Sequence, residues 1–290
     1  MITLHEAFDI FLDRGRACDL KPREEAMTQE YPDSGIVFCA DAGKPIRKIA
    51  SMIDCTPFDI FFAREQGCDL ILTHHPIGRT VAGLPDMLLQ QGDNMSVYGV
   101  DPDVVRGPLI ASSEELRREL SGSNFLREEQ MAKLVGIDVA NIHTLADNAM
   151  VPILAKKLES ASSGTLGDAL QALSEIFEYR EASERGNGPF IALGESSSPL
   201  GRVALSEFIG GQESDPSMIR FLAESGIETI LCPHFSKEYF GMAKEVGVNL
   251  IYCGHLASDS IGMNVLLDAL LEKDPSIRVV PYGGLIRKES

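Results

Sequence analysis

Short, mostly apolar segments without regular polar alternation occur along this chain between longer segments of helical pattern. The clearest of them are residues 35–40, 69–73, 229–232 and 249–253, and each runs into a turn or a helix. A strand without polar alternation is buried on both faces, which is typical of parallel strands covered by helices on both sides. The pattern therefore predicts an α/β fold with mixed, largely parallel sheets.

The 290 residues are enough for two ordinary domains. We expect two α/β domains, one over residues 1–138 and one over residues 139–290, with the C-terminal part able to pack back on the first. Residues 46–67 favour one or two helices around Pro57. Residues 77–136 form an extended segment with helical patterns, longer than a simple connection requires.

Charge and composition exclude some classes of protein. The formal net charge is −17 and the sequence has no basic run, so nucleic acid is not expected to bind, because that requires clustered Lys and Arg. The sequence contains no run of 18 apolar residues, so no membrane-spanning helix is predicted. The six cysteines include no C-x-x-C pair, and the N-terminus lacks the pattern of a signal peptide. A cytoplasmic location is therefore expected.

Four of the six histidines follow a predicted strand. His74 and His75 come after the strand at 69–73, His143 follows residues 139–142, and His255 follows residues 249–253 and Gly254. The carboxyl ends of the strands are where open α/β sheets place their ligand sites. We therefore expect these imidazoles near one another at such an edge.

Two of these histidines share a second feature. Asp147 follows His143 by four residues, and Asp259 follows His255 by four residues, each time where a helix is predicted. This H-x-x-x-D spacing places an imidazole and a carboxylate one helical turn apart on one side of the backbone. Imidazole and carboxylate together suit zinc, iron, manganese or nickel. Each Asp could equally be a helix N-cap.

Four His and two Asp exceed the needs of one tetrahedral site with an open position. The donor set instead matches two divalent ions that share a carboxylate and a water molecule, in a cleft of the protein. The predicted metal ligands are His74, His75, His143, Asp147, His255 and Asp259.

These motifs resemble the NGG-interacting factor three family (domain of unknown function 34), whose members are often described as GTP cyclohydrolase type 2 homologues. The resemblance covers most of the chain. It rests on D-L-I-L-T-H-H-P at 69–76, H-T-L-A-D at 143–147 and N-L-I-Y-C-G-H-L-A-S-D at 249–259, with residues 35–42 similar to the family's first strand. It implies two α/β domains with a dinuclear metal centre in the cleft between them, held by the six residues above, and homo-oligomers, expected here as a hexamer or a dimer.

The sequence departs from the family pattern in three places. Asp259 stands where the family usually has Glu, the 77–136 segment is longer than in minimal members, and Pro233-His234 and Glu238 occupy a stretch where the family often carries an acidic residue and a nearby His. The extended segment could cover the cleft or alter a subunit contact. His234 and Glu238 could line the pocket, or His234 could be an ordinary residue at a strand end.

The function that these observations favour is metal-dependent hydrolysis of an unknown small molecule. Asp41, His234 and Glu238 are the candidates for proton transfer. The sequence contains no G-x-x-x-x-G-K-[ST] and no G-x-G-x-x-G, so it offers no known nucleotide cradle that would support GTP as the substrate. The alternative is a non-enzymatic protein that binds metal, delivers it or mediates protein interactions. A metallophosphoesterase-like fold is disfavoured because its Asp- and Asn-rich motifs are missing.

Overall fold

The structure is a computed structural model that describes residues 1–22, 31–161 and 164–288. In these residues, nine strands form two sheets between layers of helices. The strands are β1 (Ser34–Phe38), β2 (Lys48–Met52), β3 (Leu70–Thr73), β4 (Asp138–Ile142), β5 (Phe190–Leu193), β6 (Val203–Ala204), β7 (Thr229–Cys232), β8 (Asn249–Tyr252) and β9 (Arg278–Tyr282).

Twelve α-helices occur within the same residues, and none of them combines the length and apolar character needed to span a membrane. They are α1 (Leu4–Arg16), α2 (Pro57–Glu65), α3 (Leu84–Leu88), α4 (Gln91–Ser96), α5 (Pro102–Leu120), α6 (Arg127–Val135), α7 (His143–Glu159), α8 (Leu166–Ser174), α9 (Phe177–Glu184), α10 (Met218–Glu224), α11 (Lys237–Val246) and α12 (His255–Lys273). The predicted α/β fold with mixed, largely parallel sheets is confirmed.

The first sheet has the strand order β1-β4-β3-β2-β9. All neighbours are parallel except β1, which runs antiparallel to β4. Helices α1, α7 and α12 cover one face with a core that includes Phe11, Leu145 and Met263. Helices α2 and α6 cover the other face through Ile60 and Ala132. Burial on both faces explains why the sequences of β3 and β4 show no alternation of polar and apolar residues.

The second sheet has the order β5-β8-β7-β6, with β5 antiparallel to β8. One of its cores joins the second half of α7 to α8 and α9, and includes Leu154 and Tyr179. The other core joins α10 and α11 to Met95 and Leu109, which belong to the extended 77–136 segment. This segment therefore packs against both sheets, since its last helix, α6, lies on the first.

The two sheets do not divide at the expected boundary between residues 138 and 139. Strand β4 pairs with β3, and the C-terminal strand β9 pairs with β2, so both complete the first sheet. The second sheet is built only from strands between residues 190 and 252. The C-terminal part of the chain thus returns to the N-terminal sheet.

One expectation about local structure was wrong. Residues 48–52 form strand β2, not a helix, because β2 pairs on both sides and is buried from Ile49 onward. The helix expected around Pro57 is present as α2.

Candidate metal site

The two helices that follow β4 and β8 begin at histidines and run side by side. His143 is the first residue of α7 and His255 the first residue of α12. Gly262 lets the helices approach closely, because a Cβ at this position would lie 2.0 Å from the carbonyl oxygen of Ala146. The carboxylates one turn into each helix, Asp147 and Asp259, therefore meet above the end of β3.

The structure brings all six predicted ligands together. His74 Nε2 lies 3.4 Å from Asp147 Oδ1 and 3.5 Å from Asp259 Oδ1. On the other side, Asp259 Oδ2 lies 3.6 Å from His75 Nε2 and 3.4 Å from His255 Nε2. Asp259 thus connects a buried set of donors to a more exposed one.

Three overlapping groups of donors could each hold a metal ion. In each group one ligand atom per residue lies within 4.8 Å of the others. The groups are His74, His75 and His143; His75, His255 and Asp259; and His74, Asp147 and Asp259.

The hydrogen bonding of these residues fits metal ligands. His74 is almost fully buried, and neither of its ring nitrogens has a hydrogen-bond partner among the described residues. The Oδ2 atom of Asp259 is also buried without a partner. A buried polar atom without a partner costs about 1–3 kcal/mol. A cation between these atoms would satisfy them, so the donor set fits divalent metal.

Burial also keeps the imidazoles of two of these residues uncharged. It lowers the pKa of His74 well below its usual range, with further contributions from neighbouring imidazoles. It lowers the pKa of His255 to about 4 in the same way. Neutral imidazole is the form that binds metal. Both side chains are therefore ready to coordinate at neutral pH.

Burial shifts the pKa values of the two carboxylates upward, in the direction opposite to that of the imidazoles. Burial raises the pKa of Asp259 to about 8. It raises the pKa of Asp147 well above its usual range, and the negative charges of Asp259 and Asp33 add to the shift. Without a cation, two carboxylates this close and this buried resist ionisation. A divalent ion would remove that conflict.

Two carboxylates that the sequence analysis missed orient the ligands. Asp33 Oδ2 lies 2.8 Å from His143 Nδ1, and Asp54 Oδ1 lies 2.7 Å from His75 Nδ1. Such contacts fix the tautomer of a ligating histidine and leave Nε2 free for the ion. Burial by itself lowers the pKa of His75. The hydrogen bond to Asp54 and the negative charge of Asp259 have the larger combined effect, so the pKa of His75 is raised.

The predicted proton-transfer residues are placed differently from one another. His234 lines the cavity beside the cluster, with its ring 4.8 Å from that of His255. Asp41 lies on an exposed turn after β1, where its side chain accepts a hydrogen bond from the amide of Gly43. Glu238 is exposed in the first turn of α11. Neither of these two carboxylates is among the described residues that line the cavity.

The cavity beside the cluster has a volume of about 40 Å³, which is room for at least one water molecule. Besides the ligands, it is lined from the second sheet by Glu207, Gln212 and His234. Burial raises the pKa of Glu207 to about 7. His234 Nδ1 lies 3.9 Å from Glu213 Oε2. The second sheet thus contributes one carboxyl group, that of Glu207, that can exchange a proton near neutral pH.

The fold is similar to that of several solved structures. A NIF3 superfamily protein from Sphaerobacter thermophilus is 25% identical, with a TM-score of 0.82 over 98% of this chain and 99% of that one. Reduced HcgD from Methanocaldococcus jannaschii is 14% identical, with a TM-score of 0.59 over 97% of both chains. The protein ybgI, of unknown function, is 12% identical, with a TM-score of 0.54 over both full chains. No family model and no curated protein matches the sequence.

Fold and site together define a two-sheet α/β protein with a group of His and Asp side chains that could bind metal. The chain has the fold of the NIF3 superfamily, and the resemblance to the NGG-interacting factor three family is confirmed.

Proposed function

We propose that this chain binds two divalent metal ions and is a metal-dependent hydrolase of a small molecule. The proposal is carried by one observation: six donors from the end of β3, α7 and α12 converge in overlapping groups, while the ring nitrogens of His74 have no hydrogen-bond partner among the residues that the structure describes. One ion of ordinary coordination would leave some of these donors unused. Zinc, iron, manganese and nickel all accept such a set of ligands.

In the proposed mechanism, residues at the first sheet bind the metal ions and residues at the second sheet transfer protons. When bound, a pair of divalent ions supplies Lewis acidity, which lowers the pKa of a water molecule and stabilises negative charge on a leaving oxygen. Asp33 and Asp54 hold the ligand imidazoles in position. The carboxyl group of Glu207 can hold or release a proton near neutral pH. Glu213 lies against Nδ1 of His234, so that the other ring nitrogen can serve a substrate.

The shape of the site supports the enzyme over the non-enzymatic alternative. Two of the imidazoles can be reached from solvent, since the side chain of His255 is 38% exposed and that of His234 is 44% exposed. Among the described residues that line the cavity, none comes from the 77–136 segment. A protein that only stores metal would favour a closed centre. GTP as the substrate has no phosphate-binding loop to support it.

The first experiment measures metal content per chain in protein purified without added metal. We expect close to two ions in the wild type and their loss in the double variant His74→Ala/His255→Ala. The matched control is His5→Ala, which changes an exposed histidine on α1. Wild-type protein that holds no metal, and gains none on titration, would contradict the proposal.

A second experiment separates catalysis from metal binding. We expect a screen of phosphoesters and nucleotides to find hydrolysis by the metal-loaded protein. Glu207→Gln and His234→Gln should each retain both ions while kcat falls about 100-fold, the usual size of a lost proton-transfer group. Two bound ions without any hydrolysis would favour the protein that binds or delivers metal.

A cytoplasmic location and self-association remain proposals. The location is supported by the cysteines, all six of which are free thiols, as expected in a reducing compartment. Thiol titration of protein purified anaerobically from its host tests this point, since paired cysteines would contradict it.

A further inference from the structure

One face of the first sheet's outer layer presents large apolar side chains to solvent. We call it the aromatic face. The residues that form it are Phe58 (67% exposed), Phe61 (48%) and Phe62 (41%) of α2, Leu134 (80%) of α6, and Tyr282 (39%) at the end of β9. Scattered exposed apolar residues are normal, but a group on adjacent elements marks an interaction surface.

The aromatic face is built from the second side of an apolar helix. Ile60 and Ala63 of α2 are buried against the sheet, whereas the three phenylalanines follow the i, i+3, i+4 spacing of the opposite side. The rings of Phe58, Phe62 and Tyr282 form a continuous stack. The centroids of Phe58 and Phe62 are 6.4 Å apart, and those of Phe62 and Tyr282 are 5.8 Å apart. The stack joins these three exposed rings into one contiguous apolar surface.

We propose that the aromatic face is an interface between two copies of this chain. At about 200 Å² for a full aromatic side chain, the exposed fractions give roughly 400 Å² of aromatic surface, to which Leu134 adds. A standard interface buries about 800 Å² per partner, and about 60% of that area is apolar. The aromatic face therefore supplies most of the apolar area that a stable dimer needs.

The charges of α2 indicate how the two copies pair. Asp59 lies near the start of this helix and Arg64 near its end. When two copies of α2 pack antiparallel about a two-fold axis with Phe61 against Phe62, Arg64 of each copy lies opposite Asp59 of the other. Both ion pairs form at the rim of the aromatic core. The same surface thus complements itself in charge, independently of the metal site.

Sedimentation velocity of the full chain tests this interface. At about 10 µM we expect the wild type to sediment as a multiple of the 31.6 kDa monomer. The variant Phe61→Ser/Phe62→Ser should raise the dissociation constant at least about 100-fold, because central aromatic residues carry most of the affinity of an interface. Arg64→Asp, which places like charges opposite each other, should raise it about 10-fold.

A matched control removes apolar groups of similar exposure elsewhere. Val104→Ser/Ile110→Ser on α5 changes side chains that are 47% and 41% exposed, and should leave the mass unchanged. Circular dichroism and metal content confirm that each variant is folded. A monomeric wild type at 100 µM, or a folded Phe61→Ser/Phe62→Ser variant that stays associated, overturns the interface. An unchanged dissociation constant for Arg64→Asp overturns the antiparallel pairing.

Discussion

His143 is held in place by Asp33, whose Oδ2 atom lies 2.8 Å from His143 Nδ1. Asp33 is fully buried and also accepts a hydrogen bond from the hydroxyl of Thr144. The carboxylate therefore has fixed partners and cannot be replaced by water. It keeps the proton of His143 on Nδ1 and directs Nε2 toward the cluster.

We expect Asp33→Asn to lower the affinity for divalent metal about 10- to 100-fold, the usual effect of removing a carboxylate behind a ligating histidine. Competition titration of zinc against a chelator measures it. Asp41→Asn is the control, because Asp41 is exposed on a turn away from the cavity. Equal affinities of the two variants would mean that Asp33 has no orienting role.

Asp54→Asn should weaken metal binding less than Asp33→Asn does, with an affinity for divalent metal that falls about threefold. Asp54 makes the equivalent contact to His75, but its side chain is 70% exposed, so water can replace it and salt screens its charge. The same titration at 50 mM and 500 mM salt tests this difference. If Asp54→Asn lost as much metal affinity as Asp33→Asn, or if its loss did not depend on salt, burial of the carboxylate would not explain the difference between the two variants.

The metal-free protein should lose stability as pH rises from 6.5 to 8. Folded Asp259 keeps its proton up to a pKa of about 8, whereas an unfolded carboxyl group loses it near pH 4. Unfolding therefore releases a proton across this range, and stability falls with rising pH. His255, with a pKa of about 4, acts in the opposite direction only below about pH 6.5, where unfolded histidine is protonated.

Urea denaturation of protein treated with a chelator measures this dependence. We expect the free energy of unfolding to fall by about 1–2 kcal/mol between pH 6.5 and pH 8. The variant Asp259→Asn should show a smaller fall, because it lacks this titrating group. A stability that is flat or rises with pH in the metal-free wild type would contradict the raised pKa.

Gly262→Ala should destabilise the protein by about 3 kcal/mol or more, since the added methyl group has no room against the Ala146 carbonyl and forces α7 and α12 apart. It should also weaken metal binding, because these helices carry Asp147 and Asp259. Gly241→Ala is the control, as a Cβ there meets nothing within 4 Å; it should be neutral or stabilise α11 by up to about 1 kcal/mol. Thermal melts of both variants distinguish these outcomes.

The convergence of the six candidate ligands could be predicted from sequence because each stands next to a recognisable element. Continuous apolar strands identify the sheet edges, and the H-x-x-x-D spacing holds within one helix whatever the rest of the fold does. Both signals are local, so no tertiary information was needed to find them.

The orienting carboxylates could not be predicted in the same way. Asp33 precedes β1, and it reaches the site only because β1 runs antiparallel to β4. The same reversal sends Asp41, beyond the other end of β1, to the opposite edge of the sheet. Asp54 follows β2, whose sequence also suits a helix, so its position at a strand end was hidden. Strand direction and pairing depend on distant residues.

The return of α12 and β9 to the first sheet constrains the order in which the protein can mature during synthesis. His74 and His75 leave the ribosome about 180 residues before His255 and Asp259. Until β9 emerges, β2 also lacks its outer neighbour and presents an unpaired edge. The nascent chain therefore carries four of the six candidate ligands and an open sheet edge until α12 and β9 have been synthesised, which is the period when metal misloading and aggregation threaten it most.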